Sequence, residues 1–114
     1  MEVRRYCLTC DLKDDSILIE KYKSFHAQGK VWPEIIQSIK DSGILNMEIY
    51  LIGNRMFMIL EVSKDFDFNK KAQMDSKNPK VKEWETLMST FQKPVEWSRN
   101  NEKWLKMGRI FKLN

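Results

Sequence analysis

The residues best suited to chemistry lie in one short stretch, YKSFHAQGKVWPEI, from Tyr22 to Ile35. It holds the only histidine of the chain, His26, four positions after Tyr22, and then Trp32-Pro33-Glu34. On a helix, side chains four apart share a face one turn apart, so a phenol and an imidazole would meet there. Imidazole is the side chain best matched to proton transfer near neutral pH, and a tyrosine hydroxyl can orient it or hold a substrate oxygen. A lone histidine near a helix end also serves as a surface or capping group, so the pair alone fixes no reaction.

Other reaction centres are excluded by what is missing. One histidine without a Cys/His ligand set gives no zinc site. The pair Cys7 and Cys10 is spaced C-x-x-C, but VRRYCLTCDL reads as a strand, where residues three apart point to opposite faces. Two unrelated thiols are expected rather than a redox or metal motif. There is no G-x-S-x-G and no glycine-rich phosphate loop. Carboxylates are plentiful (Glu34, Glu48, Glu61, Asp75, Glu83), and their convergence is not readable from sequence. Trp32, Trp84, Trp97 and Trp104 suit either core packing or stacking on the C–H face of a sugar.

The elements that must position these groups follow from periodicity. Val3 to Leu12 reads as a strand. Asp14, Asp15 or Ser16 is placed to cap a helix carrying Ile17, Leu18, Tyr22 and Phe25 and ending near His26 or Ala27, before Gly29. Pro33 starts a second helical segment that stops at Gly43. Leu45 to Ile52 alternates as a strand, Gly53-Asn54 is a hairpin signal, and RMFMILEV is the partner strand. Ser63 or Asp65 is expected to cap a short helix through Met74. Another helix starts near Pro79, with Val81, Trp84, Leu87, Met88 and Phe91 as its apolar stripe. WLKMGRIFKL is expected to be the last strand. The order is β-α-β-β-α-β, each helix broken once: an α+β, ferredoxin-like antiparallel sheet with its helices on one face. The bare face then needs a cover, which single domains of this kind commonly find by dimerising.

Composition agrees with one soluble domain over residues 1–114. The chain is 42% hydrophobic and 32% charged. The net charge of +4 is interspersed rather than gathered on a run, so nucleic acid is not expected as a partner. No apolar run approaches the roughly 18 residues that span a membrane. The N-terminus lacks the apolar stretch of a signal peptide, so the cytoplasm is the expected compartment.

EKYKSFHAQGKVWPEI, then SGILNMEIYL, NRMFMILEV and NPKVKEWETLM, together resemble the L-rhamnose mutarotase family over Arg4 to Phe111, most specifically at Tyr-x-x-x-His followed by Trp-Pro-Glu. The resemblance implies a dimeric ferredoxin-like enzyme that interconverts the α and β anomers of a deoxy sugar without metal or organic cofactor. It implies His26 as the catalytic acid/base, with Tyr22, Trp32 and Trp84 around the monosaccharide. Two positions depart from the family pattern. Met47 follows Asn46 where the family has a tyrosine, and Glu83 stands where rhamnose-specific members have the first of two tryptophans. With the proton-transfer residue kept and the walls of the sugar pocket changed, the same reaction on another 6-deoxy-hexose is implied, L-fucose being the candidate. Glu83, another carboxylate or water would supply the second proton transfer. The competing readings are a non-catalytic sugar-binding dimer and a cofactorless ferredoxin-like monooxygenase.

Overall fold

In the computed structural model, which describes residues 3–100 and 102–113, Val3–Leu12 forms β1. Asp15 caps α1 (Ser16–Phe25), its carboxylate accepting from the backbone N–H of Ile17 at 2.9 Å and of Leu18 at 3.1 Å. Pro33 opens α2 (Pro33–Asp41), its fixed φ suiting a first helical position. Gly43, at φ +95°, turns the chain into β2 (Ile44–Ile52). A Cβ there would also stand 3.0 Å from Ser63 Oγ, so both dihedral and space call for glycine. Gly53 at φ +57° makes the hairpin to β3 (Arg55–Ser63).

Two boundaries differ from the sequence reading. The helix after β3 is α3 (Phe68–Ser76), capped by Asp67 rather than by Ser63 or Asp65. Ser63 is still needed as the last residue of β3. Asn78 caps α4 (Pro79–Ser89), as the Asn-Pro pair suggests. The expected long last strand, WLKMGRIFKL, is cut to Leu105–Lys106 (β5), with residues 107–113 outside any element, and Gln92–Lys93, expected as a helix end and loop, is β4.

The sheet is antiparallel, in the order β2-β3-β1-β4, with β5 also on β1. Two helical segments follow β1 and two follow β3, which is the α+β arrangement read from the sequence. A one-residue bulge at Leu45 shifts β2 from Ile44 opposite Val62 to Asn46 opposite Glu61. That step keeps Ile44 on the helix side and then brings Met47 and Ile49 to the same side, leaving Asn46 and Glu48 outside.

Beneath the helices lie two apolar clusters. The first joins Cys10, Leu12 and Met56 of the sheet to Tyr22, Ile35, Val81, Trp84, Met88 and Phe91. The second gathers Leu8, Ile44, Met58, Leu60, Val62 and Phe66. On the other face Arg5 pairs with Glu61 at 2.9 Å and Arg55 with Asp11 at 2.8 Å, alongside the exposed apolar side chains of Tyr50 and Ile52. Cys10 is fully buried on the helix side and Cys7 half-buried on the other; both are free thiols. None of the described helices is long and apolar enough to cross a membrane.

Candidate active site

The α1 helix ends where the chemistry begins. Its last turn tightens as the His26 backbone N–H donates to Lys23 O at 3.1 Å, making His26 the C-cap. The imidazole then folds back along the helix. Its Nδ1 lies 2.8 Å from the carbonyl oxygen of Tyr22, and its ring stacks on the Tyr22 ring at 4.3 Å between centroids and 30° between planes. A carbonyl only accepts, so Nδ1 carries the proton and donates. That fixes the neutral tautomer with the lone pair on Nε2.

Aromatic side chains wall in this base. Trp84 of α4 meets the imidazole edge-on at 5.6 Å. Trp32, just before α2, meets Trp84 at 5.0 Å, and Lys80 Nζ stands 5.7 Å over the Trp32 ring. Phe25 and Phe91 complete the packing, Phe25 against Trp84 and Phe91 against Tyr22. Burial holds the imidazole below its ordinary pKa of 6.5, partly offset by the Tyr22 carbonyl. It is therefore a neutral base at physiological pH.

Tyr22 itself points inward. It is buried, and its hydroxyl accepts from Gln92 Nε2 at 3.1 Å. Burial pushes its phenol up to about 12, so it stays protonated.

Of the residues singled out from the sequence, four meet here: His26, Tyr22, Trp84 and Trp32. Two are placed elsewhere. Met47 is half-buried against the second cluster. Glu83 lies on the outer side of α4, largely exposed, with Lys80 as its ion-pair partner at 3.5 Å. There it lines a shallow surface depression with Ser76, Lys77, Pro79, Lys82 and Thr86. Sequence reasoning missed Gln92. Nothing in STFQKP distinguishes an inward glutamine from a solvated one, and the sole hint is its place directly after Phe91, the last residue of the apolar stripe. Among the described residues, no three of His, Cys, Asp and Glu gather to hold a metal.

The sequence profile of the L-rhamnose mutarotase family matches residues 5–113. The chain is 40% identical to an L-fucose mutarotase of Xanthomonas campestris pv. campestris over 114 residues, covering 100% of this chain and 91% of that one. It is 33% identical to a UPF0734 protein of Dictyostelium discoideum, covering 99% and 92% of the two chains. The crystal structure of an L-rhamnose mutarotase from Formosa agariphila superposes with a TM-score of 0.68 at 23% identity, covering 97% of this chain and 99% of the other.

Proposed function

This chain belongs to the L-rhamnose mutarotase family, and from that premise we propose that it is an isomerase exchanging the α and β anomers of a 6-deoxy-hexose, with L-fucose preferred and His26 as its base. The observation that carries the reading is the state of His26: a neutral imidazole, its Nδ1–H committed to Tyr22 O and its Nε2 lone pair without a protein partner among the described residues. The 40% identity to an L-fucose mutarotase supports the choice of sugar.

Mutarotation opens the hemiacetal, turns the aldehyde and closes it on the other face. In the opening step Nε2 removes the proton of the anomeric hydroxyl as the bond from C1 to the ring oxygen breaks, and the ring oxygen gains a proton. Closure reverses this: the released hydroxyl attacks either face of C1 while imidazolium returns its proton to the carbonyl oxygen. In this reading water supplies and takes back the proton at the ring oxygen, Glu83 being largely exposed and paired with Lys80. Trp32, part-exposed, supplies the flat apolar surface for the C–H face of the sugar, backed by the buried Trp84.

The enzyme works as a homodimer in this reading. Ile110, Phe111 and Leu113 are exposed by 100%, 73% and 83% on the segment after β5, and Tyr50 and Ile52 are exposed on the sheet face away from the helices. A second copy, with the same bare face and tail, covers both. A cytoplasmic location belongs to the same reading, the two cysteines being free thiols.

Exchange NMR on equilibrated L-fucose and L-rhamnose with catalytic protein tests the reaction. Faster α/β exchange, greater for L-fucose, is expected; no acceleration of either sugar by folded protein would reject it. Sedimentation of Phe111→Asp against the unaltered chain tests the dimer, which is expected to dissociate.

A further inference from the structure

We infer that Gln92 is a positioning residue for the His26 base, acting through Tyr22; its effect on rate rests on the mutarotase reading, its effect on the imidazole does not. Gln92 and Asp11 are the two buried polar side chains of the described residues. Asp11 is committed to Arg55, by bonds of 2.8 and 3.1 Å. Gln92 reaches 70 positions back along the chain to donate to the Tyr22 hydroxyl at 3.1 Å.

A buried amide is costly unless bonded, and an apolar pair at these positions would carry no such requirement. Phenylalanine fills the adjacent aromatic positions, Phe25 and Phe91, so the space accepts an apolar ring. What the amide–hydroxyl bond adds is direction. An apolar ring is held by shape alone, whereas Gln92 fixes where the Tyr22 oxygen lies and so how the ring tilts.

Two features make that tilt matter. The Tyr22 ring is the platform on which the imidazole lies, and the Tyr22 carbonyl takes the Nδ1 proton. Gln92 itself sits on β4, whose Gln92 and Lys93 pair with Leu12 and Asp11 of β1. The base, which hangs from the end of a helix, is thereby referenced to the sheet. No hydrogen bond joins Gln92 to His26 among the described residues; its bond is to the phenol.

His26 is the only histidine, so both ring nitrogens in a ¹⁵N-imidazole spectrum belong to it. In the unaltered chain at a pH where the ring is neutral, Nδ1 is expected to give the protonated shift and Nε2 the lone-pair shift. Gln92→Met keeps the length and removes the donor. It is expected to move both shifts toward a mixture of tautomers and to lower kcat by roughly 10- to 100-fold with KM changed less than about twofold. Tyr22→Phe is expected to do the same, and the double variant to be no worse than the worse single one. If Gln92→Met does not fold, Gln92→Met with Tyr22→Phe, which removes both polar partners, is expected to show the mixed tautomer. Unchanged nitrogen shifts and unchanged kcat in folded Gln92→Met would overturn the inference, whatever its melting temperature. A loss confined to KM would overturn it too, since it marks a ligand contact. If the unaltered chain accelerates no anomer exchange, the mutarotase reading falls, and the nitrogen shifts still decide the role of Gln92.

Discussion

Two apolar clusters lie under the same sheet, and they are built to different rules. The buried members of the second, Leu8, Ile44, Met58, Leu60, Val62 and Phe66, are aliphatic but for one phenylalanine, and the phenol of Tyr6 at its border turns to Arg4 in an exposed hydrogen bond. The first mixes Leu12, Ile35, Met56, Val81 and Met88 with Tyr22, Trp84, Phe91 and the Cys10 thiol, and it borders the imidazole and the Gln92 amide. Its cysteine is pushed up to about 11 by burial, so the thiol is inert packing, not a nucleophile. A cluster that only has to hold the sheet keeps its polar atoms at the exposed rim. One that also has to aim a base admits a few inside, Gln92 among them bonded to Tyr22.

The comparison predicts that chemistry and stability separate between the clusters. His26→Asn is expected to lower anomer exchange by about 10²- to 10⁴-fold, the usual worth of a positioned acid/base group, while the melting temperature changes little. Exchange NMR beside thermal unfolding checks this, and an active, folded His26→Asn protein would remove the imidazole from the reaction. In the second cluster the reverse holds. Leu60→Ala is expected to cost about 2–5 kcal/mol in urea unfolding and to leave the rate per folded molecule unchanged. A fall in that rate would join the two clusters into one functional unit.

The pH dependence sharpens the contrast further. The neutral imidazole is the base, so kcat/KM is expected to rise with pH through an apparent value below the ordinary 6.5 and then level off. The sign for stability follows from the same shift. Above the ordinary value the unfolded and folded states are both neutral at His26. As pH falls below it the unfolded chain takes up the proton first, so stability declines until the depressed folded value is passed. His26→Asn is expected to flatten that part of the unfolding profile, whereas Leu60→Ala keeps it.

The smallest effect is expected at Glu83. On the outer side of α4, in an exposed ion pair with Lys80, Glu83→Gln is expected to change stability by less than about 1 kcal/mol and the rate by less than about twofold. A tenfold loss of kcat would place this carboxylate in the proton path.

Much of this was legible in the residue order, and the parts that were not have one physical cause. β1, the Asp15 cap, the Pro33 start and the Gly53 hairpin are local decisions, set by neighbours within a few positions. The meeting of Tyr22 and His26 is equally local, being one helical turn. The approach of Trp32 to Trp84 is not local, and it came through family resemblance rather than spacing. Gln92 was invisible because its partner is 70 positions away and its own surroundings look polar. The last strand was overread for a related reason. WLKMGRIFKL has the alternation of a strand, but pairing needs a neighbour, and β1 offers one only around Leu8 and Thr9. The side of β2 on which Met47 falls was hidden by the bulge at Leu45, since a period of two cannot announce its own interruption.

The position of β1 in the sheet has a consequence for synthesis. It emerges from the ribosome before every element it pairs with, yet it accepts β3 on one side and β4 and β5 on the other. Until Lys106 has been made, part of its edge has no partner, and the nascent chain carries an unclosed template for mispairing. The pairing of Thr9 with Leu105 closes a loop of nearly the whole described chain, a contact of high sequence separation that slows folding. Completion of the sheet therefore waits for the segment around Leu105, and the edge of β1 near Leu8 and Thr9 stays open to mispairing until that segment arrives.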